Sequence, residues 1–352
     1  MPHSELMPIG VFARRSGLTS SALRFYADCG LLPPAEVDPD SGYRYYSAGQ
    51  LARATGLRRL REIAMPLATA EAVLGAGPGE ASRLIDEYVG TVLGDAEAVR
   101  RQAALIKSSL AGVPGLPIAV LMGPVLADAI EQVLTATARE PGMPVLGGLR
   151  FEADPEAVTL TATDRYRLSS RTLVPAEPAA VTWAATVDGD DLRAAVAEIR
   201  RSARVRVDAT PHGIRLRLAG RADQHCRLLS EEFPDHRLML ASLPEVTTRV
   251  TVAKDALLRA LEDHPGERIA LSVTGQAMSV GAHPTSPLPA AVTGPALHLS
   301  FELITLYPAV STAIGPDVLL DLRGPDRPVT IRSADRGDLT TVAMPVKPDQ
   351  ST

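Results

Sequence analysis

Six histidines are scattered through the second half of the chain: His212, His225, His236, His264, His283 and His298. None stands at the short spacings that bring imidazoles onto one metal ion. The two cysteines, Cys29 and Cys226, lie far apart and outside any Cys-x-x-Cys or Cys/His cluster. Buried free thiols are therefore expected at both, not a disulfide or a metal site. Asp164 beside Arg165 could in principle move a proton, but an Asp at a tight turn more commonly accepts backbone N–H groups. There is no G-x-S-x-G, P-loop or G-x-G-x-x-G. These residue types point to binding, and neither an enzyme nor a cofactor nor a metal is expected.

Bulk composition narrows the binding partners. Net charge is −5, so no global basic field draws the chain to nucleic acid, and any DNA contact must come from a local patch. Hydrophobic residues make up 45% and aromatics only 4%, so the cores must be aliphatic. The first residues carry no signal-peptide core, and no run reaches the roughly 18 apolar residues of a membrane span. A cytoplasmic protein that makes no membrane contact is expected. A length of 352 residues suggests two or three domains.

The elements that would position a DNA contact come first. In PIGVFARRSGLTSSALRFYADCGLL, Ile9, Phe12 and Ala13 share a helical face. Gly17 suits a turn with positive φ, and Thr19 suits the N-cap of a second helix carrying Ala22, Leu23 and Phe25. Arg14, Arg15 and Arg24 then point outward. Two short helices around a Gly turn form a helix-turn-helix signature. PDSGYRYYS reads as a two-stranded wing around Asp40-Ser41-Gly42. QLARATGLRRLREIAMPLATAEAVL supplies two further amphipathic helices, with Arg58, Arg59 and Arg61 clustered.

These ordered motifs, over about residues 8 to 74, resemble the MerR family of winged-helix regulators. The resemblance implies that Arg24 and Tyr26 of the recognition helix hold DNA phosphates, as does Arg44 of the wing. Arg14, Arg15, Ser20, Ser21 and Tyr45 complete the expected DNA-binding set. Ser20 and Ser21 are smaller than the polar residues the family often carries there, which leaves the operator sequence open. Such phosphate contacts set register without reading bases.

Ala81, Ile85, Tyr88, Val92, Ala96, Val99, Ala103, Ile106 and Leu110 follow a near-heptad spacing on one long helix. The MerR resemblance implies an antiparallel coiled coil and a homodimer through residues 81–110. The same stripe also occurs in helices that pack on their own chain.

After the Pro/Gly-rich AGVPGLP the texture changes to alternating strands with few helices. Helices are expected over VLADAIEQVLTATAR, DDLRAAVAEIRRS, AKDALLRALEDH and FELITLYPAVSTAI. Strands are expected over LGGLRFEA, AVTLTATDRYRLSSRTL, RVRVDATPHGIRLRLAG, QHCRLLS, ERIALSVTGQAMSVGA, DVLLDLRG, PVTIRSAD and LTTVAMPV. Two α+β units of similar size, each with two helices, suggest a duplicated module.

LRFEA, LTATDRYRL, EEFPDHRLML and TTVAMPVKP, in that order over about residues 118 to 348, resemble the second and third domains of the bacterial DNA polymerase III β sliding clamp. The resemblance implies a groove for short hydrophobic peptides between the two domains. It would be formed by Thr163, Arg165, Tyr166, Arg167, Leu168, Pro234, Leu238, Met239, Val342, Ala343, Met344, Pro345 and Val346. Leu, Met and Val suit an adaptable apolar floor, Pro stiff walls, and Arg167 and Tyr166 polar edges. The same residues would equally serve as an inter-domain core.

Two departures bear on function. The clamp's first domain is replaced by the winged helix and long helix, so the ring cannot close. The helices that would line a DNA channel are mixed or acidic, which disfavours a processivity factor.

The expected architecture is multidomain: an α-helical winged helix-turn-helix (residues 1–75), a coiled-coil helix (76–111), a linker (112–118), and two α+β sliding-clamp-like domains of the processivity fold (119–243 and 244–352). The expected function is a MerR-type regulator of promoter DNA that engages RNA polymerase and senses a clamp-targeting cyclic peptide of the griselimycin class, switching on resistance genes. Two alternatives stand beside it: a decoy that sequesters clamp inhibitors, and a regulator that binds the clamp-interacting peptides of replication proteins.

Overall fold

The computed structural model describes residues 6–110, 115–140, 142–178, 181–281, 287–334 and 338–347, without the side chains at 97, 101, 104, 105 and 107–110. The chain divides into two compact units, residues 1–100 and 101–352.

The first unit begins with strand β1 (Leu6–Pro8), helix α1 (Ile9–Ser16) and helix α2 (Ser20–Asp28). Gly17 sits between the helices at φ 73°, a left-handed conformation that Gly adopts without steric cost, and its N–H closes on the Ala13 carbonyl. Thr19 Oγ1 accepts from the Ala22 amide and starts α2. Strands β2 (Glu36–Val37) and β3 (Arg44–Ser47) form the wing, and β1 pairs with the other side of β3. The wing is thus three-stranded, where the sequence suggested two strands.

Helices α3 (Leu51–Glu62) and α4 (Leu67–Gly75) complete the head. Phe12 and Tyr46 stack at its centre with ring centroids 4.7 Å apart, among Leu23, Leu32, Leu57 and Met65. Arg53 bridges the head by donating to the carbonyls of Leu31 and Leu74, each at 3.1 Å. Arg61 donates to the Met65 carbonyl. Arg53 and Arg61 therefore serve the fold.

Helix α5 (Pro78–Leu110) carries the near-heptad seam. Its first turns, Ala81, Leu84, Ile85 and Tyr88, pack on the head core, and Tyr88 donates to the Ile63 carbonyl. Further along, Val92, Leu93 and Val99 stand exposed. The seam therefore has two roles: the first third closes the head, and the middle presents an uncovered apolar ridge. The side chain of Leu110 lies outside the described residues, as do residues 112–114 of the expected linker.

In the second unit, the first repeat is β4 (Leu116–Met122), α6 (Gly123–Leu134), β5 (Gly148–Ala153), β6 (Val158–Thr163), β7 (Arg167–Leu173), β8 (Trp183–Asp188), α7 (Gly189–Arg200), β9 (Arg204–Thr210), β10 (Gly213–Leu218) and β11 (Gln224–Leu229). A short helix, α8 (His236–Ala241), follows. The second repeat is β12 (Thr248–Ala253), α9 (Lys254–Glu262), β13 (Arg268–Thr274), β14 (Ala277–Val280), β15 (Leu288–Thr293), β16 (Leu297–Glu302), α10 (Leu303–Ser311), β17 (Asp317–Leu322), β18 (Val329–Ser333) and β19 (Leu339–Ala343).

The two repeats have the same element order. The strands form one sheet across both, joined where β19 pairs antiparallel with β7. Each repeat has its own aliphatic core, one centred on Ile130, Phe151 and Leu216, the other on Leu257, Phe301 and Ile331.

The duplication extends to polar detail. Asp208 is the fifth residue of β9 and Asp321 the fifth of β17. Arg217 and Arg332 each pair opposite the residue two before that Asp. Each forms an ion pair with it at 2.6 Å. A second guanidinium closes each carboxylate: Arg206 on Asp208 at 3.0 Å and Arg249 on Asp321 at 2.7 Å.

Two expectations are corrected. Leu116, Pro117 and Ile118 fall within the expected linker, but they belong to β4, which pairs with β9. Pro117 sits at a register shift on this strand, a place where a missing N–H costs no ladder bond. The first clamp-like domain thus begins by residue 116. Cys29 is exposed where burial was expected, because it follows the last turn of a surface helix; Cys226 is buried, and its burial raises its thiol pKa.

Candidate functional site

The DNA-facing candidates lie on α1, α2 and the wing. Arg14, Arg15, Ser21 and Arg24 are exposed, and Ser20 and Tyr45 are half-buried. Arg15 rests on the Met7 sulfur at 3.3 Å. Tyr26 is 8% exposed and belongs to the head core, so only its small exposed remainder is open to a phosphate. Its position one turn from Leu23 on α2 turns it inward. Arg44 is already engaged, since its guanidinium reaches Asp28 at 2.7 Å and the Arg24 carbonyl at 3.5 Å. Asp28 was not singled out in the sequence; nothing local in spacing marks a partner 16 residues away.

The second candidate site is built around the turn between β6 and β7. Thr163 Oγ1 donates to the Arg167 carbonyl and accepts from the Arg165 amide. Asp164 Oδ1 accepts from the amides of Tyr166 and Arg167, at 3.0 and 2.8 Å, so it acts as a turn-former. The turn holds Arg165 at φ 78°, a left-handed conformation that a side-chain-bearing residue adopts only when its surroundings enforce it. It leaves Tyr166 61% exposed.

The C-terminal segment meets this turn. Val342 and Ala343 pair with Leu168 and Arg167, and the Met344 amide donates to the Tyr166 carbonyl at 2.8 Å. Val346 then bridges to Ser300. The register fixes which residues can touch a ligand. Leu168, Val342, Ala343 and Pro345 are buried and act as core. Thr163 is also buried, beneath the turn. Tyr166 and Met344 are exposed, Val346 half-buried. On the FPDHRLML segment Pro234 and Leu238 are exposed and Met239 is half-buried. Eleven of the thirteen expected groove residues thus separate into a buried support and an exposed or half-buried apolar set, while the charged pair differs, Arg165 being exposed and Arg167 half-buried.

Around that set, three arginines are paired with carboxylates. Arg165 pairs with Glu140 at 2.6 Å and Arg167 with Asp164 at 2.9 Å. Arg237 pairs with Glu152 at 3.0 Å, with His236 3.4 Å from the same carboxylate. Arg167 also donates to the Thr135 carbonyl. Sequence reading missed Glu140 and Glu152, since both act across long separations. Phe233 anchors the FPDHR segment against Val145 and Leu146.

The helix face of the first repeat is also neutralised. Arg200 is held by Asp128 and by Glu131, Arg193 by Asp190, and Arg201 and Arg221 by Glu198. Few positive charges are left there for a phosphate backbone. Among the described residues no group of His, Cys, Asp and Glu could hold a metal, and no helix is long and apolar enough to cross a membrane.

A winged helix and a duplicated processivity fold are thus joined in one chain, and comparisons with known proteins agree. Residues 7–76 match the MerR HTH family regulatory proteins, and residues 121–235 the central domain of the DNA polymerase III beta subunit. The HTH-type transcriptional regulator CueR of Yersinia pestis is 35% identical over 91 residues, covering 26% of this chain and 65% of that protein. The beta sliding clamp homolog GriR of Streptomyces muensis is 30% identical over 142 residues, covering 40% of this chain and 38% of that one. A sliding clamp from Pseudomonas aeruginosa, solved bound to griselimycin, superposes with a TM-score of 0.59 at 17% identity, covering 67% of each chain. The chain spans 26%, 21% and 65% of the lengths of its first three curated relatives. The chain thus carries a MerR HTH domain at its N-terminus and a DNA polymerase III β clamp-like module after it.

Proposed function

We propose that this protein is a ligand-responsive transcription regulator whose clamp-like module binds a clamp-targeting cyclic peptide of the griselimycin class and thereby switches on resistance genes. The head grips promoter DNA as a homodimer through the α5 ridge. Ligand binding changes how the dimer distorts the promoter, and RNA polymerase responds. A ligand can do this only through different affinities for the two states.

The observation that carries the ligand class is the exposed apolar set of Tyr166, Leu238 and Met344 beside Arg165, Arg167 and Arg237, each paired with a carboxylate. Such a surface gains by desolvating apolar groups and offers little to an acidic linear peptide. A neutral lipophilic cyclic peptide fits it, and its pre-organised ring loses little entropy on binding. The pairing of this module with a DNA-reading head favours a regulator over a decoy.

Transcription from the protein's own promoter region, reconstituted with purified RNA polymerase, tests the reading. Transcription should rise when a griselimycin-type peptide is added to the full chain. If the peptide binds and transcription is unaffected, the decoy reading replaces it.

A further inference from the structure

We infer that Asp28 is a built-in competitor for the DNA phosphate that Arg44 binds, setting how tightly the head holds DNA. The inference rests on the DNA-binding reading of the winged helix.

Arg44 begins β3 of the wing and Asp28 ends α2, the recognition helix. Their side chains meet at 2.7 Å. The other terminal nitrogen of Arg44 faces the Arg24 carbonyl at 3.5 Å. Both ends of the guanidinium fork are thus turned toward α2, and a phosphate that binds the fork bidentately must displace those partners. Asp28 is well exposed, with 63% of its side chain accessible, so the exchange is cheap enough to occur. Once Arg44 has turned to DNA, the Asp28 carboxylate is left unpaired beside the duplex. It then repels phosphate or recruits a cation from solution.

The alternative role for this geometry is a brace, in which Asp28 orients Arg44 for the phosphate. Occupation of both fork ends by α2 argues for competition, and the two roles predict opposite signs.

The test uses the full chain and a random-sequence DNA duplex, because a phosphate contact is independent of sequence. Affinity is read by fluorescence anisotropy across a salt series for the wild type, Asp28→Asn, Arg44→Ala and the double variant, with melting curves to verify folding. Asp28→Asn should tighten binding by about three- to fivefold, the range of an exposed ion pair. Its plot of log affinity against log salt should steepen by up to about one unit, because no cation need be recruited to the orphaned carboxylate. In the Arg44→Ala background the gain should largely vanish.

Weaker or unchanged binding of folded Asp28→Asn overturns the inference. A full gain that persists without Arg44 also overturns it, because Asp28 would then act by simple repulsion. If the wild type fails to bind the duplex even at low salt, the DNA-binding reading itself falls.

Discussion

The Met344 amide donates a hydrogen bond to the Tyr166 carbonyl at 2.8 Å, across 178 residues of chain. This contact ties the C-terminal segment to the β6–β7 turn and leaves both side chains facing outward. It separates the groove residues that support from those that bind, and the two kinds can be told apart by mutation. Tyr166→Ala should change stability by no more than about 0.5 kcal/mol, as for other surface changes, yet weaken ligand binding by tenfold or more on the order of one lost aromatic anchor. Leu168→Ala, at a site only 4% exposed, should cost about 2–5 kcal/mol of stability. Denaturation curves and titrations on both variants check this. A strongly destabilised Tyr166→Ala would mean that the turn is core.

The ridge on α5 makes a separate claim. Val92 is 45% exposed and Val99 68%, one heptad apart. A coiled-coil partner would cover them. Val92→Glu combined with Val99→Glu should convert the proposed dimer to a monomer in sedimentation, with the head still folded, because its core is built from the segments up to α4 and the first turns of α5. A variant that stays dimeric would place the interface elsewhere.

The repeated Asp–Arg clusters predict parallel behaviour in the two clamp-like domains. Asp208 is completely buried and Asp321 is 3% exposed. Removing either charge takes a buried acceptor away from two arginines that keep access to solvent, so Asp208→Asn and Asp321→Asn should each destabilise the second unit by about 1–3 kcal/mol. Chemical denaturation of the two variants measures this. A cost below about 1 kcal/mol for both would reduce the clusters to surface ion pairs.

His225 supplies the pH dependence. Burial lowers its pKa below the usual histidine value, and Arg215 opposite it on β10 adds to this. The unfolded chain therefore binds this proton more readily than the folded one, and stability falls as the solution is acidified. The contribution is intact above about pH 6.5, the ordinary histidine value, and is lost below it. Melting temperature should drop on acidification from about pH 7 to about pH 5. The drop should be smaller in His225→Gln. An identical slope in the variant would assign the effect to other groups.

Much of this was legible in the sequence because it rests on local rules. Gly17 and Thr19 announce the helix-turn-helix through positive φ and capping, and both do what their types require. The repeat of element order was readable from periodicity, and the β6–β7 turn from Asp164. Local rules failed where a long-range contact decided the outcome. Pro117 reads as a breaker, yet pairing with β9 makes its segment a strand. Glu140 and Glu152 neutralise Arg165 and Arg237 from 25 and 85 residues away, beyond any motif window.

The central claim is that the clamp-like module binds a cyclic peptide through its exposed apolar set. Calorimetric titration of the full chain with a griselimycin-type peptide, beside a Met344→Asp variant, tests it most directly. Met344 is 39% exposed, so the substitution should leave the fold intact while placing a charge in the groove. The account predicts saturable one-to-one binding by the wild type and loss of binding in the folded variant. Absence of binding to the wild type, or equal binding by both proteins, would contradict it.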